Sequence, residues 1–443
     1  MHIVIIGNGI SGITAARHIR KKSDHRITVI SAETDYFFSR TALMYVYMGH
    51  MKFEHTQPYE NWFWEKNRIE LVKNYVSEVN VQQKQIQFSD GKQMNYDKLI
   101  IATGSKPNKF GWPGQDLKGV QGMYSYQDLQ GMETYSKDLK HAVIVGGGLI
   151  GVEMAEMFHS RHIPVTFLVR EKSFWSGVLP AGESAIVNRE IQSNGIDLRL
   201  NEELQEILPD ANGRVKAIKT KSGEEIACQF VGLTAGVKPN IDFLKNTEIK
   251  KNRGVLVNHF LETSAQDVYA IGDCAEFTEA LPGRKPVEQV WYTGRMHGET
   301  LAETICGKRT AYTPGPWFNS AKFFDIEYQT YGTVLSQNPE GQTSLYWEHQ
   351  DGRKCIHIVY DKSNDVVKGI NLFGIRHRHE VWDKWLKENK TLPYVLENLH
   401  EANFDPEMFD TYEKDVVNLY NQQNPNKPVK SKRKKRFLER LGF

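Results

Sequence analysis

The sequence predicts an α/β protein with two parallel-sheet units and a smaller α+β C-terminal domain. Three observations carry that expectation. A grammar of apolar strand, glycine turn and helix occurs twice. A strand that ends in small residues and a proline also occurs twice. Beyond about Pro314, strand-like runs with alternating aromatics take over. At 443 residues, and roughly 150 per domain, the chain is long enough for about three domains, each with its own core.

In chain order, His2-Ile3-Val4-Ile5-Ile6 is a β-branched apolar run that leads into Gly7-Asn8-Gly9-Ile10-Ser11-Gly12. Ile13, Ala16 and Ile19 then recur at helical spacing, and Ile27-Thr28-Val29-Ile30 supplies a second strand ending near Glu33. Further on, Ala142-Val143-Ile144-Val145 leads into Gly146-Gly147-Gly148-Leu149-Ile150-Gly151. A helix pattern through Val152, Ala155, Met157 and Phe158 follows, and then the strand Val165-Thr166-Phe167-Leu168-Val169. Each segment predicts a βαβ unit whose three glycines have separate uses. One permits the tight turn, one lets backbone approach a pyrophosphate, and one packs helix on strand, while the helix N-terminus faces the phosphates. A lone GxGxxG is weak, but two copies in full strand–turn–helix context predict two Rossmann-like dinucleotide-binding domains.

Tyr96 to Pro107, with Ala102-Thr103-Gly104 at its turn, and Phe230 to Asn240, with Thr234-Ala235-Gly236, are two diverged versions of one segment. Val268-Tyr269-Ala270-Ile271-Gly272-Asp273 is a strand ending in an acid suited to a polyol, and Trp291 to Ile305 has helical spacing. These motifs, in this order over residues 1 to about 310, resemble the two-dinucleotide pyridine-nucleotide:flavin oxidoreductases. Within them the pattern is similar to ferredoxin and rubredoxin reductases, nitrite-reductase-like NADH dehydrogenases and apoptosis-inducing-factor-like flavoproteins. The resemblance implies that the first unit and the GD motif hold FAD and that the inserted second unit holds NADH or NADPH. It implies an FAD-binding domain over 1–115 and 235–312, an NAD(P)-binding domain over 116–234, a C-terminal α+β domain over 313–425 and a basic tail over 426–443.

The resemblance assigns the FAD pyrophosphate turn to Gly7, Gly9, Ile10, Ser11 and Gly12, and the adenosine ribose to Glu33, which lies one position later than the acid of many relatives. It assigns Arg40 to the flavin nucleotide, Val76 to a backbone contact with adenine, and Ala102, Thr103 and Gly104 to the ATG turn. Asp273, after Gly272, is assigned to the ribityl chain and Val290 to a main-chain flavin contact, with Gly236 joining the set. Taken singly, Arg40 also reads as a surface salt-bridge former and Asp273 as a helix cap.

For the second site, Gly146, Gly148, Ile150 and Gly151 are assigned to the nicotinamide-dinucleotide pyrophosphate. Arg170 and Glu171 sit where the next strand ends: a carboxylate there suits the NAD ribose, and an arginine suits the NADP phosphate. Arg170-Glu171-Lys172 is similar to the Pro-Glu-Lys of NAD-binding apoptosis-inducing-factor-like proteins, which leans the expectation to NADH. Glu153 matches a glutamate that relatives place near nicotinamide and flavin, and is the catalytic candidate. Its usual lysine partner falls at Tyr45, so either Glu153 makes a different contact or burial alone sets its ionisation and raises its pKa. The alternative is a first-turn acid favoured by the helix dipole.

Composition limits the chemistry. Hydrophobic residues are 40% and charged residues 25%, ordinary for a soluble chain, and a net charge of +2 gives no reason to expect nucleic acid as a partner. The four cysteines, Cys228, Cys274, Cys306 and Cys355, form no CxxC pair, and none precedes Cys228. The first-domain thiols of disulfide and peroxide reductases are therefore absent, Cys274 is expected as a small buried residue, and no metal is expected. No export signal and no run of ~18 apolar residues is visible, so a cytoplasmic location is expected, with a peripheral position on the inner face of the membrane as the alternative.

In the last third, strands are expected over Trp317–Thr333, Thr343–Glu348, Cys355–Tyr360 and Val366–Ile375, then one helical stretch over Val381–Leu399. Arg376-His377-Arg378-His379 is expected as an exposed turn, and Trp62-Phe63-Trp64 as packing. Lys427 to Phe443 is strongly basic around Phe437, Leu438 and Leu441. It reads as a solvated tail, with contact to anionic lipid or an acidic protein as alternatives. The expected activity is an FAD-dependent NAD(P)H oxidoreductase passing electrons to an iron–sulfur carrier protein or a quinone. The alternative is an NADH-responsive flavoprotein that acts as a binding partner, or a flavin subunit of a larger redox complex.

Overall fold

The computed structural model describes residues 1–432, so the tail from Arg433 to Phe443, including its apolar patch, lies outside the described residues. The described chain forms two compact units, one of residues 1–170 and 202–314, the other of residues 171–201 and 315 onward.

In the first unit, the strand His2–Ile6 is the middle of a five-stranded parallel sheet. Arg26–Ser31 and then Ile69–Lys73 lie to one side, Lys98–Ile101 and Val268–Ala270 to the other. Ile3, Val4 and Ile5 are fully buried, in one core with Ile13, Ala16 and Ile19 of a helix and with Val79, Ile86 and Phe88 of the strands Val76–Asn80 and Gln85–Phe88, so the strand is continuously apolar rather than alternating. The chain leaves His2–Ile6 for one side of the sheet and returns on the other, which opens a crevice at its C-terminal end, where Gly7 stands. The helix Ile10–Lys22 covers the strand with Ile13, Ala16 and Ile19, and Trp291–Ile305 packs against that helix.

The same unit repeats the arrangement. Ala142–Val145 lies between Val165–Val169 and Phe230–Leu233 in a second parallel sheet, with Val120–Gln121 beyond. Its helix, Leu149–His159, buries Val152, Ala155, Met157 and Phe158. Trp64 is buried with the first core as expected of packing, whereas Trp62 is 58% exposed. No helix among the described residues is long and apolar enough to cross a membrane.

The second unit is a five-stranded antiparallel sheet in the order Phe318–Phe323, Ile326–Gly332, Val367–Phe373, Cys355–Asp361, Gln342–Glu348. Helix Ala181–Ser193 lies on it, with the buried Glu183 taking a hydrogen bond from Asn371 Nδ2 (2.8 Å) and pairing with His357 Nδ1 (2.7 Å).

Three expectations are corrected here. The run Trp317–Thr333 is a hairpin, turned at Phe324, whose φ of 51° breaks the extended chain. The single helical stretch Val381–Leu399 is two helices, His379–Lys387 and Leu392–Asn398, separated at Asn389 (φ 51°), with Pro393 in the first turn of the second. His377 is not on an exposed turn: it is buried and accepts the Trp382 indole N–H at 3.1 Å.

Candidate functional site

Both glycine turns use the same geometry. Gly7 has φ +118° and Gly146 +123°, conformations that L side chains rarely adopt. A Cβ on Gly7 would overlap the carbonyl of Ala102, which ends the neighbouring strand; one on Gly146 would lie 2.7 Å from the carbonyl carbon of Thr234, which ends the equivalent strand. At the last glycine of each turn, a Cβ on Gly12 would overlap the Gly7 carbonyl and one on Gly151 the Gly146 carbonyl. The middle glycines differ from these. A Cβ on Gly9 or Gly148 would meet nothing within 4 Å. Each is the N-cap of its helix and has no side-chain capping bond, so a hollow lies before the free backbone N–H groups. The residues present therefore fit two pyrophosphates.

Around the first turn the predicted residues converge. Ser11 Oγ sits where a Cβ on Gly272 or Gly294 would be, locking helix Ile10–Lys22 to the GD turn. Gly272 (φ +73°) donates its N–H to Nδ1 of the buried His297 (3.1 Å), whose imidazole is pushed down to about 3 by burial and by Arg284. Asp273 Oδ2 accepts from Ser105 Oγ (3.1 Å) and Tyr124 OH (3.3 Å), and its burial pushes the carboxyl pKa up. Gln289 Nε2 donates to the same Ser105 hydroxyl (2.7 Å), and Val290 caps the helix Trp291–Ile305.

Arg40 and Glu33, singled out separately in the sequence, form one bidentate pair, with Nη1–Oε1 at 2.9 Å and Nη2–Oε2 at 2.6 Å. Burial lowers the Arg40 pKa, but the Glu33 carboxylate more than restores it. Arg40 also lies over the Tyr124 ring (4.5 Å) and donates to the Tyr124 carbonyl, while Glu33 Oε1 takes the Tyr126 N–H (2.8 Å).

The Ala102-Thr103-Gly104 turn is tied to the Gly236 segment: Thr103 Oγ1 donates to Asn240 O (2.7 Å), and Asn240 N to Gly104 O (2.9 Å). Val76 heads the strand Val76–Asn80 and is buried. Cys274 is fully buried, its thiol against the Ile101 and Ile271 carbonyls and its pKa raised by burial. Ser105, Tyr124, Gln289 and His297 were not anticipated. The capping box Ser125-x-x-Asp128 directly after Tyr124 was the nearest sequence signal.

At the second turn, Thr234 Oγ1 donates to the Val145 carbonyl (3.0 Å). Ile150 is the second residue of the helix Leu149–His159. Glu153 is the fifth, so it stands beyond the first turn, and the reading of it as a dipole-favoured first-turn acid is corrected. Burial, and then the neighbouring Glu156, push its carboxyl up to about 7. Arg170 and Glu171 directly follow the strand Val165–Val169.

A family model described as pyridine nucleotide-disulphide oxidoreductase matches residues 1–298. The assimilatory nitrate reductase electron transfer subunit of Bacillus subtilis is 29% identical over 399 residues, covering 87% of this chain and 49% of that protein. The chain thus spans about half the length of that relative. The NADH-rubredoxin oxidoreductase of Clostridium acetobutylicum is 29% identical over 369 residues, covering 82% of this chain and 89% of that one. Among solved structures, the NAD-dependent persulfide reductase of A. fulgidus shares the fold, with a TM-score of 0.85 at 21% identity over 96% of this chain and 84% of the other.

Proposed function

Because the chain belongs to the pyridine nucleotide-disulphide oxidoreductase family, we propose that it is an FAD-dependent NAD(P)H dehydrogenase that passes electrons to an external acceptor, an iron–sulfur carrier protein or a quinone. The observation that carries this reading is the pair of matched turns, each with an open middle glycine before a helix N-terminus. In this reading FAD belongs to 1–115 with 235–312, NAD(P)H to 116–234, and residues 313–425 form a separate C-terminal domain. FAD, when bound, supplies the capacity to take a hydride and release electrons singly or in pairs.

The chain's own residues bind and orient. Gly7, Gly9, Ile10, Ser11 and Gly12 cradle one pyrophosphate, and Gly146, Gly148, Ile150 and Gly151 the other. Arg40, neutralised by Glu33, lies along the flavin nucleotide, with the carboxylate's remaining lone pairs available to a ribose hydroxyl. Asp273, held by Ser105 and Tyr124, faces the ribityl chain. Val76, Ala102, Thr103, Gly104, Gly236, Gly272 and Val290 supply backbone around the same cofactor. Glu153 would stand near the reacting rings, where a carboxyl pushed up to about 7 would limit the charge buried beside them. Glu171 favours NADH through the ribose hydroxyls, with Arg170 leaving NADPH open. No cysteine precedes Cys228, so the family's disulphide chemistry has no first-domain thiol here and the acceptor is external.

A second reading, the flavin subunit of a larger redox complex, is favoured by the similarity to a longer protein named as an electron transfer subunit. Co-purification of an iron–sulfur protein separates it from the first. We place the protein in the cytoplasm, with the basic segment from residue 426 onward as its contact to anionic lipid or an acidic carrier. The test of the main reading is anaerobic stopped-flow mixing of the flavin-loaded protein with NADH and, separately, NADPH. Rapid bleaching, faster with NADH, is expected; bleaching by neither rejects the dehydrogenase reading.

A further inference from the structure

The helix Ile10–Lys22 starts at the first glycine turn and ends about 20 Å away at 1.5 Å per residue. At that far end is a cavity of about 270 Å³ whose charged lining is wholly cationic. Arg17, Arg20 and Lys21 come from the helix, Lys66 from the end of Trp62–Lys66, and Arg68 from the turn after it. Helix dipoles account for cations on the last turn of each helix, Lys66 included, but not for Arg17 and Arg68.

Four features distinguish this cavity from a solvated basic face. First, Arg20 is fixed by three backbone carbonyls, Ser23 (3.0 Å), His25 and Arg68 (2.9 Å), and its buried Nε has no hydrogen-bond partner among the described residues. Second, Arg17, Lys21 and Lys66 make no ion pair among the described residues: Arg17 lies over the Tyr59 ring at 4.8 Å and Lys66 over Trp62 at 5.0 Å. Third, Arg68 occupies a left-handed position (φ 50°) just past a helix end, where glycine is usual, and its carbonyl is one of those holding Arg20. Fourth, the one carboxylate bonded to the group among the described residues, Asp24 on Arg68, has a side chain 86% exposed and does not line the cavity.

We propose that this cavity is an anion site for the di- or polyphosphate group of a small molecule, separate from both dinucleotide turns. Its volume is below the ~300–1,000 Å³ of pockets that enclose whole drug-sized ligands, and suits a pair of phosphates with the rest of the molecule outside. The Arg17 guanidinium fork with ammonium charges from Lys21 and Lys66 matches phosphate oxygens, Arg20, held by its carbonyls, adds a fixed positive charge beside them, and Asn67 lies among them.

The test is calorimetric titration of the flavin-loaded protein with inorganic pyrophosphate, with saturating NAD⁺ present to fill the second turn. Saturable binding is expected, weakened about tenfold or more when salt rises from about 0.02 to 0.2 M. The double variant Lys21→Glu/Lys66→Glu, both exposed, should bind about tenfold or more weakly, with an unchanged flavin spectrum and unchanged reduction by NADH. No binding of pyrophosphate, or binding that the double variant leaves intact, overturns the proposal. So does binding of phosphatidylglycerol vesicles or polyglutamate that needs Lys21 and Lys66 but that pyrophosphate does not compete away; the cluster would then be an acidic-surface dock.

Discussion

The two glycine turns share a backbone and differ in what is built over them. Gly7 and Gly146 have φ values within a few degrees, both press on the residue ending the adjacent strand, and both are followed by an open middle glycine. The first turn is then closed in. Ser11 sits against Gly272 and Gly294, and the Arg40–Glu33 pair, Asp273, Ser105, Tyr124 and Gln289 form one polar network beside it. At the second turn the Thr234 hydroxyl braces the backbone, and the nearest ionisable candidate on its helix is Glu153, with a carboxyl raised to about 7. The difference teaches that the phosphate cradle is a local property, whereas retention of its occupant is set by long-range contacts. On the function proposed above, the first site would keep its cofactor and the second would exchange it.

The largest expected effect would break the shared part. Gly7→Ala and Gly146→Ala each add a Cβ at positive φ against a neighbouring strand end, and should each lose about 3 kcal/mol or more of stability in urea denaturation. A loss under about 1 kcal/mol in either would mean that the turn is not pinned as described.

Next, Glu33→Gln removes the partner of the Arg40 guanidinium and should cost the first site about 2 kcal/mol, read as flavin lost on gel filtration, with reduction by NADH of the retained fraction unchanged.

Glu153 sharpens the second site through pH. Folded, the carboxyl keeps its proton up to about pH 7; unfolded, it releases it near the ordinary glutamate value. The native state therefore binds the extra proton between those values, and stability falls as pH rises through that window and levels off above about 7. Denaturation curves of Glu153→Gln should lack this fall, and its reduction by NADH should lose an inflection near pH 7.

The smallest effect is that of Cys274→Ala, which should change stability by less than about 1.5 kcal/mol and leave the reduction rate unaltered, because the thiol is buried against two carbonyls with its pKa raised.

What was legible in the sequence follows the same division. Both turns, the strands feeding them and the helix Trp291–Ile305 were readable, because apolar runs and glycine spacing are local signals. Asn389 and Phe324 were not, because both adopt positive φ without being glycine, and a break of that kind leaves the apolar pattern intact. Tyr124, Gln289 and His297 join the first site only through partners far away in the chain, Asp273, Ser105 and Gly272. Arg40 and Glu33 were each picked out, but their pairing needed the loop between them to fold. Glu153 was picked out with the expected upward shift, just past the first turn on which its spacing put it.

The central claim is that two like turns serve two different dinucleotides. Its most direct test compares Gly9→Val with Gly148→Val, since both side chains would enter open space rather than the protein. The account predicts that Gly9→Val folds but purifies without flavin, while Gly148→Val stays yellow, is bleached by dithionite and is no longer bleached by NADH. A Gly148→Val protein that loses its flavin, or one that NADH still bleaches at the parent rate, would contradict it.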